Sequence, residues 1–187
     1  MASKTISPTR MELTRLKARL KTARRGHKLL KDKRDELMRQ FLEIVRRNRD
    51  LRTRVDEGLS RANKALSVAS AIMSTDMLEQ ALLYPSRRVE MDMKFKNIMS
   101  VNVPEYEFKV QVADTADIYP YGYAQTSGEL DDALLAMSSV FDDLFERAQI
   151  EKTMQLLAGE IEKARRRING LEYIIIPEIE TNIKHIS

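Results

Sequence analysis

The sequence predicts a mostly α fold in which a long antiparallel two-helix coiled coil carries a small β-hairpin insertion in its middle. Helix-period runs of apolar residues occupy both ends of the chain, and period-two runs lie between them. Charged residues make up 32% of the chain and aromatic residues 6%, a balance typical of long helices. We therefore expect an N-terminal helix over residues 1–83, a hairpin and connector over 84–128, and a C-terminal helix over 129–187.

The N-terminal helix is predicted from a 3.5-residue repeat of apolar side chains that runs from Leu13 to Val55. Alternating steps of three and four reach thirteen positions, of which all but His27, Arg34 and Asn48 are apolar. A repeat sustained this long keeps one seam against a partner helix, and polar seam residues fix the register of the pair. An amphipathic helix on an ordinary helix bundle is the alternative interpretation.

The limits of this helix are predicted from its flanking residues. Ser7-Pro8-Thr9 is a typical helix start, and we expect the helix to continue without interruption to Leu83, where Tyr84-Pro85-Ser86 ends it. Gly58 lies on the seam, where a missing Cβ permits a close approach between helices. Small residues follow, so we expect either that the helix axes draw together there or that a third element packs against them: Ala62, Ala65, Ser67, Ala69, Ser70 and Ala71.

The middle of the chain changes to a period of two, which is typical of half-buried strands. Apolar and polar residues alternate over residues 89–95 and again over 106–112. The simplest pairing is a hairpin in which 97–105 is the turn or an irregular connector, with Asn102 and Pro104 as turn residues. A lone hairpin is marginally stable in water, so we expect this one to pack on the helices or on a partner.

Helical periodicity resumes near Gly128 and continues almost to the end of the chain. We expect this helix to fold back antiparallel to the first. Pro177 removes the helical hydrogen bond to the carbonyl of Tyr173, so we expect a kink or an end there. The seam is predicted as two runs separated by a phase skip: Leu130, Leu134, Met137, Phe141, Leu144 and Ala148, then Ile150, Met154, Leu157, Ile161, Ala164, Ile168, Leu171 and Ile175.

No set of residues has the pattern of a catalytic, cofactor or metal site. There is no Cys, and His27 and His185 lack the further ligands that a zinc site needs. No glycine belongs to a phosphate-binding loop. The sequence therefore predicts a non-enzyme without a cofactor. No apolar run reaches the length of a membrane span and the N-terminus lacks a signal-peptide pattern, so we expect neither membrane insertion nor export.

Charge is distributed unevenly along the chain. Residues 1–54 hold 18 Lys/Arg against 6 Asp/Glu, whereas residues 101–151 hold 2 against 11. A basic segment of this size is typical either of nucleic-acid binding through phosphates or of the solvated face of a long helix. Phe41 is the only aromatic residue in the basic segment, which disfavours stacking on nucleic-acid bases.

The C-terminal helix contains three consecutive isoleucines at residues 174–176. Neighbouring residues of a helix point about 100° apart, so one isoleucine can join the seam while the other two point outward. Burying each of them stabilises by roughly 1.5–3 kcal/mol. We expect an apolar collar from other subunits to cover them, with coverage by the N-terminal segment of the same chain as the alternative.

Four blocks of residues carry a resemblance to a known family. Residues 8–17, 23–37, 98–105 and 166–179 read PTRMELTRLK, ARRGHKLLKDKRDEL, IMSVNVPE and RRINGLEYIIIPEI. These blocks resemble the D subunit of the V-type and archaeal-type rotary ATPases, and the resemblance extends over the full length. The family usually has Ala at the position of Gly170. The long C-terminal tail of eukaryotic members is missing, which indicates a prokaryotic complex.

The resemblance implies a central rotor axle that transmits torque between a catalytic hexamer of A and B subunits and an ion-pumping membrane ring. The implied partners are the A and B subunits, the F subunit on the flank of the axle, and a funnel-shaped subunit above the ring. The chain is expected as a non-catalytic, peripheral subunit on the cytoplasmic face of a prokaryotic plasma membrane, and proton and sodium pumping both stay open. The alternative is a basic coiled-coil nucleic-acid-binding protein or a structural tether.

Candidate binding residues are grouped by the partner that the resemblance implies. The set for the hexamer consists of five arginines, whose charge would steer the chain toward acidic loops of the hexamer, and one apolar residue. Its members are Arg10, Arg24, Arg25, Arg165, Arg166 and Ile176. The set for the F subunit is taken from the small-residue and acidic middle of the chain: Ala62, Ala65, Ala69, Met137, Phe141 and Asp142. The hairpin set is linked to modulation of the ATPase: Val89, Phe95, Tyr106 and Phe108.

Overall fold

The computed structural model describes residues 8–83, 87–112, 119, 121–122 and 126–187. The mostly α fold with a small antiparallel hairpin in the middle of the chain is confirmed. None of the described helices is both long enough and apolar enough to cross a membrane. The elements follow in this order: α1 (Arg10–Ile72), α2 (Thr75–Leu82), β1 (Arg87–Ile98), β2 (Val101–Val112), α3 (Gly128–Gly170), a π-helical turn (Leu171–Ile175) and α4 (Ile176–Ile186).

The chain divides into two compact units, and α1 contributes to both. Unit 1 comprises Met1–Leu42 and Gln155–Ser187, and unit 2 comprises Glu43–Met154. The division into residues 1–83, 84–128 and 129–187 stays a prediction.

In unit 1 the first part of α1 packs antiparallel to the C-terminal helical segment. Every predicted seam position of α1 in this unit is buried or half-buried, and Leu37 is fully buried. The antiparallel direction is clear from two levels of the pair, because Arg24 contacts Glu180 while Phe41 shares a groove with Ala158. The buried residues that α3 and α4 contribute are Leu157, Ala164, Ile168 and Ile179.

The C-terminal segment of unit 1 changes its winding just before Pro177 but does not end there, since α4 continues through this proline. Pro177 has no N–H to donate to the carbonyl of Tyr173, which interrupts the α-helical hydrogen-bond pattern. The helical turn there contains one extra residue: the Ile176 N–H donates to the Leu171 carbonyl, five residues earlier, which is the hydrogen bond of a π turn. Helix α4 then continues to Ile186.

In unit 2 the second part of α1 packs antiparallel to α3, and the glycine on the seam permits close contact. A Cβ added at Gly58 would overlap Val140 Cγ2, so the expected close approach at Gly58 is confirmed. Leu51 and Val55 are fully buried on the same seam.

The seam predicted for the first part of α3 is right at Leu130, which is fully buried, and wrong at Phe141 and Ala148. Ala133 and Val140 are buried, whereas Phe141 is 37% exposed and Ala148 is exposed. The reason is that Phe141 stacks near Phe145, on a face of α3 other than the one that meets α1, with ring centroids 5.9 Å apart.

The expectation of an uninterrupted helix as far as Leu83 is also wrong. Helix α1 ends at Ile72, and Ser74 caps a separate helix α2 by accepting a hydrogen bond from the Met77 N–H at 3.4 Å. The third element expected beside the small residues is this α2. It closes a buried cluster of Ala69, Met73, Ala81 and Leu130, against which Leu78 and Tyr121 pack.

The hairpin has the predicted strands but a shorter turn. The pairing of Met91 with Phe108 and of Met93 with Tyr106 places the two alternating runs opposite each other. The irregular connector expected over 97–105 is wrong, because the strands continue to a two-residue turn at Met99 and Ser100, with φ of 50° and 69°.

Asn102 and Pro104 lie in β2 rather than in the turn. A proline is tolerated there because each strand of a two-stranded hairpin is an edge strand. The Asn97 side chain stabilises the tight turn: its Oδ1 accepts from the Ser100 N–H at 3.0 Å, and its Nδ2 donates to Asn102 at 2.7 Å. These two asparagines support the turn without occupying it.

The hairpin packs on α3, as expected for an otherwise marginal element. The Phe108 ring stacks on Phe145 with centroids 4.1 Å apart, and the Tyr106 N–H donates to Gln149 Oε1 at 3.2 Å. Strand β2 therefore faces α3, which leaves β1 on the far side of the hairpin.

Candidate partner-binding surfaces

The basic excess of unit 1 lies on α1. Residues 8–42 hold 12 Lys/Arg against 4 Asp/Glu, whereas residues 155–187 hold 5 against 5. The second helical segment therefore cannot neutralise the first. Arg10 and Arg25 on α1 and Arg165 on α3 are exposed and have no ion-pair partner among the residues that the structure describes.

Two other predicted arginines of this unit are already engaged. Arg24 Nη2 lies 2.7 Å from Glu180 Oε1, which ties α1 to α4. Arg166 pairs with Glu162 one turn earlier on α3, and this contact lowers the pKa of the Glu162 carboxyl and raises that of Arg166. Both pairs are solvent-exposed, so they contribute little to stability and leave the arginines accessible.

A groove in unit 1 combines an apolar floor with charges on its rim. Met38, Phe41, Ala158 and Ile161 line it together with the charged residues Arg34, Asp35, Glu162 and Arg165, and its volume is about 450 Å³. Arg34 is engaged with its neighbour Asp35 at 2.6 Å and 3.0 Å. Arg165 forms no ion pair within the described chain, although its charge contributes to the lowered pKa of Glu162 beside it.

The structure places the predicted hexamer residues in one unit but at different levels of it. Arg24 lies beside Glu180, whereas Arg165 lies beside the groove with Arg34. They therefore form a series of positive sites along the unit and do not form a single cluster. Ile176 is half-buried at the start of α4.

The isoleucine run of unit 1 is largely uncovered. Tyr173 is 71% exposed, Ile174 59% and Ile175 38%, whereas Ile179 one turn later is buried against the seam. Widening of the helix at the π turn separates these outward side chains from the buried stripe. Unit 1 thus presents an exposed apolar surface within a basic unit.

The polar seam residues differ in what they contact. His27 Nε2 lies 3.4 Å from Glu172 Oε2, on the π turn that precedes α4. The buried Oδ1 of Asn48 has no hydrogen-bond partner in the described part of the chain. Within that part, no group of three or more His, Asp or Glu residues lies close enough together to hold a metal ion.

In unit 2 two arginines of α1 pair with carboxylates of α3. Arg54 Nη2 lies 3.2 Å from Asp143 Oδ1, and Arg47 pairs with Glu146. In the opposite direction, Arg147 of α3 lies 3.9 Å from Asp56 of α1. These contacts join the two helices.

The residues predicted for the F subunit separate into buried and accessible ones. Ala62 and Ala69 are buried inside unit 2, where their small size lets the elements pack closely, and Ala65 and Met137 are half-buried. Phe141 and Asp142 are exposed on α3. Only the latter two present substantial surface to a partner.

The hairpin residues are also unequal in exposure. Val89 is 43% exposed and Phe95 67% on β1, whereas Tyr106 and Phe108 on β2 are half-buried against α3. Two apolar residues of the same strand that lie outside the predicted hairpin set, Met91 and Met93, are 55% and 53% exposed. Their alternation with charged residues is visible in the sequence, but which strand faces α3 is not.

Ion pairs link the two strands on the polar face of the hairpin. Lys94 Nζ lies 2.5 Å from Glu107 Oε1, and Lys109 Nζ lies 2.6 Å from Asp92 Oδ2. The hydrogen bond from Lys109 lowers the pKa of Asp92, and the matching contact with Glu107 raises the pKa of Lys94.

Comparison with known proteins identifies one family. The family model described as the ATP synthase D subunit matches residues 12–187. A V-type ATP synthase D subunit of Acetivibrio thermocellus is 55% identical over 187 residues, covering 100% of this chain and 84% of the relative. The protein of the same name from Clostridium novyi is 54% identical, covering 100% and 87%. That from Fusobacterium nucleatum is 52% identical, covering 100% and 88%. These matches confirm the resemblance carried by the four sequence blocks.

Proposed function

The chain belongs to the family of ATP synthase D subunits, and from this premise we propose that it is the central rotor axle of a V-type ATPase. It transmits torque between a catalytic hexamer of A and B subunits and an ion-pumping membrane ring. It carries no catalytic residues of its own. Its place is on the cytoplasmic face of the membrane, as a peripheral part of the soluble sector.

The observation that carries this proposal is the continuity of α1. It is a single helix of 63 residues, and in each unit it packs antiparallel to a second helical segment. A hydrogen-bonded helix supported along its length by a second one resists twisting and bending better than a single helix or a loop. An element that transmits torque needs this stiffness.

Unit 1 is the part proposed to turn inside the hexamer. Its exposed Tyr173, Ile174 and Ile175 favour an apolar partner surface, because burying a fully exposed isoleucine stabilises by roughly 1.5–3 kcal/mol and these residues are still partly in water. The unpaired Arg10, Arg25 and Arg165 favour acidic surfaces around that apolar surface. The arginines Arg24 and Arg166 and the residue Ile176 complete the proposed contact set.

Unit 2 is the part proposed to bind the F subunit. Phe141 and Asp142 provide the exposed contact, while Met137, one turn earlier on α3, and Ala65 on α1 are half-buried. The buried Ala62 and Ala69 act indirectly in this proposal, by setting how closely the elements of unit 2 pack. A funnel-shaped subunit above the membrane ring is the remaining proposed partner.

The hairpin is proposed to modulate the ATPase of the assembled complex. Val89 and Phe95 expose apolar surface, while Tyr106 and Phe108 fix the hairpin to α3. Replacing residues 88–111 with a short loop should change the ATP hydrolysis rate of the complex. An unchanged rate in a complex of the same composition would reject this role.

Direct observation of rotation tests the axle proposal. Because the chain has no Cys, a single cysteine at the exposed position Lys152 can carry a bead on a complex immobilised through its catalytic subunits. We expect the bead to rotate in steps when ATP is added, and the isolated chain to hydrolyse no ATP. A bead that stays fixed while the complex hydrolyses ATP would contradict the proposal, provided that a second attachment site on the same chain gives the same result.

A further inference from the structure

Strand β1 leaves one edge of the hairpin open. Its residues from Arg88 to Asn97 are all exposed, and among the described strands β1 pairs only with β2. The outer edge of β2 differs, because its Tyr106 N–H donates to Gln149 on α3. An open edge presents backbone N–H and C=O groups that the strand of another molecule can satisfy.

The same strand carries an uncovered apolar stripe, formed by Val89, Met91, Met93 and Phe95 with exposures between 43% and 67%. These residues share one face of the hairpin with Tyr106 and Phe108, as the register shows. Helix α3 covers the β2 half of this face through Phe145 and leaves the β1 half open. A strand added to β1 would therefore extend the apolar face as well as the hydrogen-bond ladder.

The hairpin register determines which residues of β1 face the open edge. A two-residue turn joins the strands, so the closing pair of Ile98 and Val101 is hydrogen-bonded, and bonded and non-bonded pairs alternate from there. The even-numbered residues of β1 therefore bond β2. The odd-numbered ones, among them Met91, Met93 and Phe95, direct their backbone groups outward.

The charges on the polar face of β1 decide which partner strand fits. In sequence order they are Arg88, Glu90, Asp92, Lys94 and Lys96. When two antiparallel copies of β1 are related by a two-fold axis at Met93, Asp92 lies opposite Lys94 of the second copy, and Glu90 lies opposite its Lys96. Each of these contacts occurs twice by symmetry, and no like charges meet.

Neighbouring registers lack this complementarity. With the axis at Asp92 or at Lys94, that residue faces the same residue of the second copy, which opposes like charges. With the axis at Met91, Glu90 faces Asp92 of the second copy, and with the axis at Phe95, Lys94 faces Lys96. The strand is therefore self-complementary in the register centred on Met93.

We propose that the chain, when it is outside an assembled complex, binds a second copy of itself through β1 in the antiparallel register centred on Met93. Met93 pairs with Met93 of the second copy, and Met91 pairs with its Phe95, so the two apolar stripes join. The intramolecular pair of Asp92 with Lys109 continues across the new edge to Lys94 of the second copy. The result is a four-stranded sheet whose apolar face is continuous across both copies.

This inference goes beyond the axle function and is independent of it, because it needs only one kind of chain. The contact consists of a single strand pair, which is small beside the roughly 1,200–2,000 Å² of a typical stable interface. The dimer is therefore weak and forms in a concentration-dependent manner.

Sedimentation velocity of the full-length chain over a dilution series tests the dimer. We expect monomer at low concentration and dimer at high concentration.

In Lys96→Glu, the introduced carboxylate of each copy faces Glu90 of the other copy, so like charges meet at both ends of the pairing. We expect roughly tenfold weaker dimerisation. Lys152→Glu, the same change of charge at an exposed position of α3, should leave dimerisation unchanged. Mixing Lys96→Glu with Glu90→Lys chains should restore dimers, because the opposed charges are again of opposite sign.

Cysteine cross-linking tests the register in a chain that has no Cys of its own. Met93→Cys brings two Cα atoms to about 5.5 Å in a hydrogen-bonded pair, a separation that a disulfide spans. Met91→Cys leaves its two cysteines about 14 Å apart along the strands, well beyond that reach. The two methionines are similarly exposed, at 53% and 55%, so disulfides formed by random collision should be equally frequent at both positions.

Under mild oxidation we expect a covalent dimer from Met93→Cys, none from Met91→Cys, and a heterodimer from Met91→Cys mixed with Phe95→Cys. Equal cross-linking of Met91→Cys and Met93→Cys would overturn the proposal. So would a native chain that stays monomeric at every concentration, a result that would leave the edge of β1 to the strand of a different protein.

Discussion

The arginines of α1 have different surroundings in the two units. In unit 2, Arg47 and Arg54 face Glu146 and Asp143 across the helix pair. In unit 1, Arg24 contacts Glu180, but Arg10 and Arg25 have no ion-pair partner in the described chain. Among the described residues, three arginine–carboxylate contacts cross the helix pair of unit 2, counting Arg147 with Asp56, whereas one crosses the helix pair of unit 1.

This difference separates two uses of charge on one helix. Opposite charges across the helix pair of unit 2 help to fix which residues of α1 and α3 lie side by side, which is an internal role. Arg10 and Arg25 of unit 1 make no such contact in the described chain, and the same unit exposes Tyr173 and Ile174. We propose that other subunits cover this surface of unit 1.

Core truncation has the largest expected effect and tests whether each unit is held by its own interior. Leu37 in unit 1 and Leu51 in unit 2 are 0% and 1% exposed on the same helix. Each substitution by Ala should lower the free energy of unfolding by about 2–5 kcal/mol, measured by urea denaturation. Comparable losses would mean that the units differ in charge and not in core packing. A negligible loss at Leu37 would mean that unit 1 depends on partners for its stability.

The close contact at Gly58 gives the next largest effect. Gly58→Ala would force a Cβ into Val140, and overpacking costs about 1–3 kcal/mol against a gain in helix propensity of up to about 1 kcal/mol. We expect net destabilisation of the isolated chain, measured by thermal or urea unfolding.

Gly159→Ala in α3 of unit 1 is the matched control, because a Cβ there meets nothing within 4 Å. That variant should be more stable than the native chain by up to about 1 kcal/mol. Adding Val140→Ala to Gly58→Ala should recover part of the stability. Equal stabilisation by both glycine substitutions would contradict the close approach in unit 2.

Neutralising one arginine in each unit separates the two uses of charge. Arg54→Gln breaks the contact with Asp143 and should lower the free energy of unfolding by about 0.2–1 kcal/mol, with a smaller effect in high salt. Arg25→Gln removes no described contact and should leave the stability of the isolated chain unchanged. A larger loss from Arg25→Gln than from Arg54→Gln would reverse the assignment of the two units.

The smallest effect concerns the ion pair between Asp92 and Lys109 in the hairpin. The pKa of Asp92 is lowered in the folded chain, so its contribution to stability is present above the ordinary pKa of an aspartate and is lost as the pH falls through the folded value. An NMR titration should find this lowered pKa, and Lys109→Gln should move it back toward the ordinary value. A titration unaffected by that substitution would show that the contact does not persist in solution.

The long helices could be predicted from the sequence because their hydrophobic repeat is local and sustained. The break at Met73 and Ser74 was missed, because Ser-Thr-Asp also occurs on the exposed faces of uninterrupted helices. The turn at Met99 and Ser100 was missed for a related reason. It contains no Gly, and its support comes from the side chain of Asn97.

The phase of α3 could not be predicted from one helix alone. Phe141 is a large apolar residue at an acceptable seam spacing, but α3 contacts both α1 and the hairpin, and Phe141 lies near Phe145 on the hairpin side. The charge pairing was hidden in the same way. Which arginines of α1 meet a carboxylate depends on the register of two helices that are far apart in the sequence.

The affinity of the isolated chain for the catalytic subunits, measured over a range of salt concentrations, tests the central claim most directly. Arg25→Gln combined with Arg165→Gln should bind more weakly than the native chain and with a shallower salt dependence. Arg47→Gln combined with Arg54→Gln should bind as the native chain does. If the second pair of substitutions weakens assembly and the first does not, the unmatched charges of unit 1 are not the partner-binding surface.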